Sequence, residues 1–316
     1  MNNKLLFSQF VIILCLTSVV HASQLEFSRH TTAKSVVFNY AWRDHYQAIQ
    51  RLTFSLPKKD VFNRFRNLKV FKPKFAEQYV EQQLRQNITN HPVPNVTVAL
   101  NSNPDDTHIS VSGSDQQQIA QVRAKLNALQ QKFYTEYLAA NDYQLLSMPD
   151  NTSGVIPNHS AIAHASVDDL KDIKSIILAK VSIRNIRKVT NYVLGFVQNI
   201  PYATLTSRIS ASGSGFNPPL KLLYENQGDC DSKMTLTIAI LRSLMPRIKL
   251  AFVYINHHAL IGINIEPKAD EITITQNNIV FVLAEPTGPA MYPLGKVAPM
   301  SKQAILHHLY VAKIFN

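Results

Sequence analysis

The chain has 316 residues, of which 46% are hydrophobic and 17% are charged. That apolar content is enough to bury a core, so the composition excludes a wholly disordered protein, and 9 glycines and 16 prolines exclude a collagen-like or low-complexity one. The 32 Lys and Arg exceed the 21 Asp and Glu, which gives a formal net charge of +11 and favours acidic partners.

Residues 1–22 have the pattern of a secretory signal peptide. Lys4 precedes a mostly apolar run that is short for a membrane span, and Val20 and Ala22 are the small or apolar residues expected before a cleavage site. We therefore predict cleavage near Ala22 and an exported mature protein, either periplasmic or secreted. The alternative is an uncleaved N-terminal anchor.

Residues 23–146 mix strand and helix patterns, which predicts a small α/β domain whose role the sequence does not reveal. Residues 93–100 and 108–112 alternate as strands do on either side of a turn cluster. A helical spacing follows, carried by Ile119, Val122, Leu126 and Leu129.

The segment 51–74 within this region is strongly basic and interleaved with phenylalanines. Such a pattern can form a nucleic-acid surface, but we expect no nucleic acid for an exported protein. The functional interpretation is attraction to an acidic envelope polymer or a membrane surface. The structural interpretation, which we favour, is a solvated basic face whose phenylalanines pack in a core. The basic residues are Arg51, Lys58, Lys59, Arg64, Arg66, Lys69, Lys72 and Lys74.

Residues 147–166 concentrate turn-forming residues, so we predict a linker there and a second domain over 167–316. Early in that second domain an amphipathic stripe from Ile186 to Ile200 predicts a helix that ends at Pro201.

Cys230 is the only cysteine left once the predicted signal peptide is removed, because Cys15 lies within it. A lone thiol in an oxidising compartment indicates an intermolecular disulfide, a reactive group or a buried apolar residue. Its local sequence favours reactivity. Gly228 allows a tight turn, Asp229 is a plausible N-cap, and a run without Gly or Pro to Leu244 predicts a helix starting at the cysteine. A helix N-terminus favours thiolate over thiol.

Two adjacent histidines follow between strand patterns at 249–256 and 259–265. Alternation places His257 on the same face as Ala259 and Ile261, and His258 on the less apolar face. A catalytic imidazole must open onto a cleft, so His258 is the better candidate base.

Glu285 directly follows the next predicted strand, 278–284, and Pro286 prevents the strand from continuing. A carboxylate beside a strand that carries a histidine can hold the second imidazole nitrogen.

Three segments, Gly-Asp-Cys-Asp-Ser-Lys, His-Ala-Leu-Ile-Gly-Ile and Leu-Ala-Glu-Pro-Thr-Gly, together resemble the transglutaminase-like cysteine peptidase superfamily, particularly its exported bacterial members. The segment Phe196 to Tyr202 resembles the helix end that precedes the nucleophile in that family. The resemblance covers residues 167–294. It implies an α+β fold with a papain-like core, in which the nucleophile helix packs on an antiparallel sheet.

The resemblance also assigns roles. Cys230 matches the nucleophile, His258 the base and Glu285 the acid, although the family usually has Asp there and glutamate has a longer arm. The expected reaction is acyl transfer at an amide bond of a peptide or protein through a thioester. Water would make the enzyme a peptidase or amidase, which we favour for envelope peptides, and an amine would make it a transglutaminase. The Cys230 N–H is one expected oxyanion donor, and Gln198 or Gln227 is a candidate for the other.

Two other interpretations compete. A catalytically inactive module of the same fold would bind a peptide or protein partner. The other is a metal enzyme, for which the support is weak, since no histidine spacing matches a zinc motif. We therefore predict no metal and no cofactor. Near the cysteine, we expect Asp231 to complement the helix dipole and Lys233 to be as easily solvated as catalytic. The histidines considered for a metal are His159, His164, His257, His258, His307 and His308.

Overall fold

A computed structural model describes residues 24–103, 106–206 and 215–316 of the chain. The predicted signal peptide, 1–22, lies outside the described residues. Within the part that is described, no helix is both long and apolar enough to cross a bilayer. The elements in chain order are β1 (Gln24–Thr31), β2 (Ser35–Arg43), β3 (Ile49–Pro57), α1 (Lys58–Asn67), α2 (Pro73–Asn90), β4 (Val96–Asn103), β5 (Asp106–Gly113), α3 (Gln116–Ala140), β6 (Tyr143–Ser147), β7 (Ser153–Pro157), α4 (His159–Val167), α5 (Lys171–Lys180), α6 (Ile186–Asn199), α7 (Pro219–Glu225), α8 (Cys230–Leu244), β8 (Leu250–Ile255), β9 (His258–Ile263), β10 (Thr273–Gln276), β11 (Ile279–Ala284), α9 (Pro299–Leu306) and β12 (Tyr310–Phe315).

The fold is mixed α+β with antiparallel sheets, which agrees with the fold class predicted from the sequence. A five-stranded sheet has the order β10-β11-β9-β8-β12, and a three-stranded sheet has the order β1-β2-β3. β4 and β5 form one hairpin, and β6 and β7 another. Every strand pair within these sheets is antiparallel.

The main core surrounds α8, which packs on β9 and on the helices α4, α6 and α7. All residues of α8 from Ser232 to Leu241 are buried, so the helix is covered on every side. A helix that is buried on every side occupies a core position. The inner residues of β2, Phe38, Tyr40 and Trp42, belong to the same core. Of these, Tyr40 and Trp42 contact Phe196 of α6.

The predicted division into two domains with a linker at 147–166 is therefore wrong. Residues 147–166 include strand β7 and most of α4, and Ala163 on α4 is fully buried in the main core. The sheet β1-β2-β3 packs on α5 and α6, which come after this segment. Turn-forming residues at 148–152 mark only the tight end of the β6–β7 hairpin.

A smaller core does lie within the N-terminal region. It joins α2 and α3 to the β4–β5 hairpin, and its buried residues include Leu84, Ile109 and Leu126. The strands and the helix predicted for this part from alternation and helical spacing are confirmed, with β4 and β5 each extending farther toward the turn than predicted.

The five-stranded sheet is covered on both faces. Ala259 and Ile261 of β9 face the main core, whereas Leu260 faces a second core that includes Ile305 of α9. Gly262 is required by close packing, because a Cβ there would lie 2.9 Å from Cβ of Phe281. The His258 side chain is nevertheless 22% exposed, because His258 is the first residue of β9.

Replacing Trp42 with alanine should test whether β2 and α8 share one core. Trp42 is 1% exposed, and its ring lies 5.4 Å from that of Phe196 on α6. Removal of such a side chain costs about 3–5 kcal/mol, so we expect a lower free energy of unfolding and faster amide exchange throughout α8.

Tyr46→Ala is the matched control, since Tyr46 is 79% exposed. It should change neither the denaturation midpoint nor exchange in α8. Unchanged exchange in α8 of the Trp42→Ala protein would contradict the single core.

Candidate active site

Cys230 is the first residue of α8, as predicted, and its side chain is half-buried. Asp229 caps the helix by accepting a hydrogen bond from the backbone N–H of Ser232 at 2.9 Å. Gly228 does not adopt a left-handed conformation, so the expected tight turn is not the reason for glycine at this position. A Cβ at Gly228 would lie 2.7 Å from Cδ1 of Leu222, so glycine is needed for close approach.

Lys233, one turn into α8, is fully buried. Its Nζ donates a hydrogen bond to the carbonyl oxygen of Ile200, at the end of α6. Burial lowers the pKa of Lys233 to about 7, against opposing effects of Asp229 and Cys230. Of the two alternatives that the sequence left open, burial excludes a solvated lysine, and this side chain joins the start of α8 to the end of α6.

His258 and Glu285 are brought together by the pairing of β9 with β11. Ile255 pairs with His258, so a two-residue turn of Asn256 and His257 places His258 first in β9. His258 Nε2 lies 2.8 Å from Glu285 Oε1, and the other oxygen of Glu285 accepts the Ala298 N–H at 2.7 Å. An ionised Glu285 accepts a hydrogen bond from the Nε2–H of His258, so the proton stays on Nε2 and Nδ1 is the basic nitrogen.

His257, the competing histidine, is exposed and has a φ of 56° in the turn. The contact with Glu285 therefore distinguishes His258 from its neighbour. The sequence favoured His258 only because strand alternation placed it on the less apolar face, whereas the structure shows a direct contact with Glu285.

The start of α8 and the start of β9 are close to one another. α8 packs on β9, and burial raises the pKa of Asp231, the residue after the cysteine, while the positive charge of His258 opposes that increase. Among the described residues, no side chain forms a hydrogen bond with the Cys230 sulfur. Catalytic hydrogen bonds are often loose without substrate, so this resting arrangement is compatible with a nucleophile and its base.

The electrostatic surroundings of Cys230 disfavour its thiolate. Burial raises the pKa of Cys230 to about 12, with the negative charges of Asp231 and Asp229 contributing to the increase. The backbone N–H groups of Asp231 and Cys230 oppose this increase without overcoming it. The helix N-terminus therefore acts in the expected direction, because its N–H groups lower the pKa of Cys230, but burial, which the sequence does not show, outweighs it.

Asp231 points into the site and does more than complement the helix dipole. Its side chain is 29% exposed, and one oxygen lies 3.8 Å from Nε2 of His159. Burial, followed by the charge of Asp229, raises the pKa of Asp231 to about 7. Asp231 therefore carries a charge that varies near neutral pH, next to the cysteine.

His159 lies behind this acid and is fully buried at the start of α4. Its Nδ1 is 2.9 Å from the hydroxyl of Tyr254 on β8, and burial lowers its pKa to about 3. The neutral imidazole thus tethers α4 to the sheet next to Asp231. In the described part of the chain, no three His, Cys, Asp or Glu residues are arranged to hold a metal ion.

Gln198 is not an oxyanion donor, which corrects one of the two sequence candidates. It is 1% exposed, and its amide nitrogen donates to the carbonyl oxygens of Glu285 and Tyr292, both at 2.8 Å. Its amide oxygen lies 2.9 Å from His45 Nε2. Gln198 therefore positions the backbone that carries Glu285. The role predicted for Gln227 stays a prediction.

Tyr202 is a residue near the site to which the sequence assigned no role of its own. It forms a bridge with Gly228 and is 52% exposed. Burial raises its pKa, and so do the charges of Cys230, Asp229 and Asp231. Its position as the last residue of the family-like segment, Phe196 to Tyr202, was the only signal in the sequence.

Comparisons with family models, with curated proteins and with solved structures found no match to this chain.

Asp231→Asn should make Cys230 more reactive toward iodoacetamide. Loss of the neighbouring negative charge lowers the pKa of Cys230, so more thiolate is present at a given pH, and a pKa that falls by about 1 gives about tenfold more thiolate. The measurement is the alkylation rate of Cys230 against pH, followed by intact mass.

Asp270→Asn serves as the control, because Asp270 is exposed and pairs with Lys296. Its alkylation profile should match that of the unchanged protein. An Asp231→Asn rate equal to or below that of the unchanged protein would show that Asp231 does not restrain the thiol.

Proposed function

We propose that this protein is an exported, thiol-dependent acyl-transfer enzyme of the transglutaminase-like cysteine peptidase superfamily, with a papain-like core. Its substrates are amide bonds in peptides or proteins of the cell envelope, and hydrolysis is the favoured outcome. Export is proposed from the sequence of residues 1–22, and the family from the three segments around Cys230, His258 and Glu285.

The observation that supports the enzyme most is the hydrogen bond between His258 Nε2 and Glu285 Oε1, next to a helix that starts with the only cysteine of the described residues. A carboxylate that holds one imidazole nitrogen leaves the other to accept a proton and stabilises the imidazolium that results. Packing of α8 on the antiparallel sheet supports the papain-like core.

In the proposed reaction, Nδ1 of His258 removes the proton from Cys230 as the sulfur attacks the carbonyl carbon of the substrate. A C–S bond forms, and the C–O double bond opens to an oxyanion next to the Cys230 N–H. His258 then gives its proton to the leaving amine as the C–N bond breaks. The product of this half-reaction is a thioester on Cys230.

In the second half-reaction, His258 removes a proton from water, which attacks the thioester and releases an acid while the thiol is restored. An amine in place of water would give transamidation by the same steps.

The raised pKa of Cys230 determines how the proton moves. At neutral pH a thiol with a pKa of about 12 is protonated, so the imidazole must remove the proton during the attack. Protonation of Asp231, whose pKa is about 7, or of Asp229, whose pKa is about 6, reduces the negative charge near the sulfur.

A catalytically inactive module that binds a peptide or protein partner is the second candidate. The observation that favours it is the combination of a strongly raised pKa at Cys230 with a sulfur that has no side-chain hydrogen-bond partner among the described residues. In that case the charged side chains around Cys230 would have a structural role alone.

An activity comparison separates the two candidates. Fluorescein-labelled casein reports hydrolysis, and incorporation of dansylcadaverine into casein reports transamidation. We expect Cys230→Ala and His258→Gln each to lower the rate about 10³-fold or more, since nucleophile and base act as a unit. Glu285→Gln should also lower it, because the neutral amide no longer stabilises the imidazolium.

His257→Gln is the matched control, since it changes an exposed histidine in the neighbouring position and should retain full activity. Equal rates for the Cys230→Ala protein and the unchanged protein would favour the inactive module.

A further inference from the structure

Residues 69–75, between α1 and the first turn of α2, form an exposed surface that is both basic and apolar. We call it the loop patch and define it by Lys69, Val70, Lys72, Lys74 and Phe75. Val70 is 41% exposed and Phe75 is 52% exposed. Phe54 and Phe62 of the same basic segment pack in or on the main core, whereas about half of Phe75 is exposed to solvent.

The loop patch is held in a defined conformation. The hydroxyl of Tyr143 donates to the carbonyl oxygen of Lys69 at 2.6 Å and accepts from the N–H of Phe71 at 3.0 Å. The ring of Phe71 lies 5.4 Å from that of Tyr143. Tyr143 is buried, so Lys69 and Phe71 are fixed to the body of the protein.

A cavity of about 680 Å³ lies against the loop patch. Phe71, Tyr137 and Tyr143 line it together with Lys69 and Lys72. Its size and aromatic walls suit an apolar group that enters beside a lysine.

The lysines of the loop patch have no acidic partner among the described residues. Within that part of the chain no ion pair involves Lys69, Lys72 or Lys74, and Lys72 Nζ instead lies 5.2 Å from the centre of the Phe75 ring. Between Asp60 and Glu77 the chain carries five basic residues and no acidic one, so the local charge of this segment is positive.

We propose that the loop patch docks this protein on a bilayer that contains anionic lipids. The lysines contact headgroup phosphates while Val70 and Phe75 enter the interface between headgroups and acyl chains. A soluble polyanion would neutralise the lysines but would leave Val70 and Phe75 in water. The inference concerns location and goes beyond the proposed acyl-transfer activity, because the patch contains none of the residues proposed for catalysis.

The test is cosedimentation of the chain beginning at Ser23 with vesicles of phosphatidylcholine, with and without phosphatidylglycerol. We expect binding only when phosphatidylglycerol is present, and weaker binding as salt is raised. Lys69→Glu with Lys72→Glu should weaken it by about tenfold or more, because each lysine contributes to attraction by an anionic surface. Val70→Ser with Phe75→Ser should weaken it as well.

Lys171→Glu with Lys302→Glu is the matched control, since it makes the same charge change at exposed lysines elsewhere. It should bind as the unchanged protein does.

Loss of binding in this control to the same extent as in the Lys69 and Lys72 variant would overturn the docking site. Undiminished binding of the Val70 and Phe75 variant would overturn the bilayer as occupant and favour a soluble polyanion. Absence of binding to either vesicle would overturn the proposal altogether. Near-ultraviolet circular dichroism verifies that each variant is folded.

Discussion

The hydrogen bond between His258 and Glu285 depends on the burial of a carboxylate. Glu285 is 5% exposed, and a buried carboxylate is tolerated only when its oxygens find donors. One oxygen accepts from His258 and the other from the Ala298 N–H, while Gln198 holds the carbonyl group of the same residue. Because it is buried, the Glu285 carboxylate needs the hydrogen bond from His258. This hydrogen bond determines that Nδ1 of His258 is the basic nitrogen.

The region around Cys230 concentrates charges where a fold selected for stability alone would have apolar side chains. Lys233 is fully buried, and burial raises the pKa values of both Asp229 and Asp231. Replacing buried charged groups with apolar ones is often neutral or stabilising. Clusters of perturbed pKa values are typical of functional sites, which is consistent with a site built around this helix start.

Local features were predictable from the sequence, whereas burial and long-range contacts were not. The sequence Gly-Asp-Cys-Asp-Ser-Lys predicts the start of α8 because the capping of a helix is a local interaction. The burial of Lys233 and the approach of Asp231 to His159 depend on how α4 and α6 pack on α8, which periodicity does not specify. The turn residues at 148–152 likewise indicated a linker, since a hairpin end and a domain boundary use the same residue types.

Reaction with p-nitrophenyl acetate tests most directly whether Cys230 is a nucleophile whose base is His258, held by Glu285. Release of p-nitrophenolate and the intact mass of the protein are the two measurements. We expect a burst stoichiometric with protein and an acetyl thioester on Cys230, with both slowed by His258→Gln and abolished by Cys230→Ala. Acetylation at the same rate in the Cys230→Ala protein, or a Cys230 reaction that is indifferent to His258→Gln, would contradict such a nucleophile.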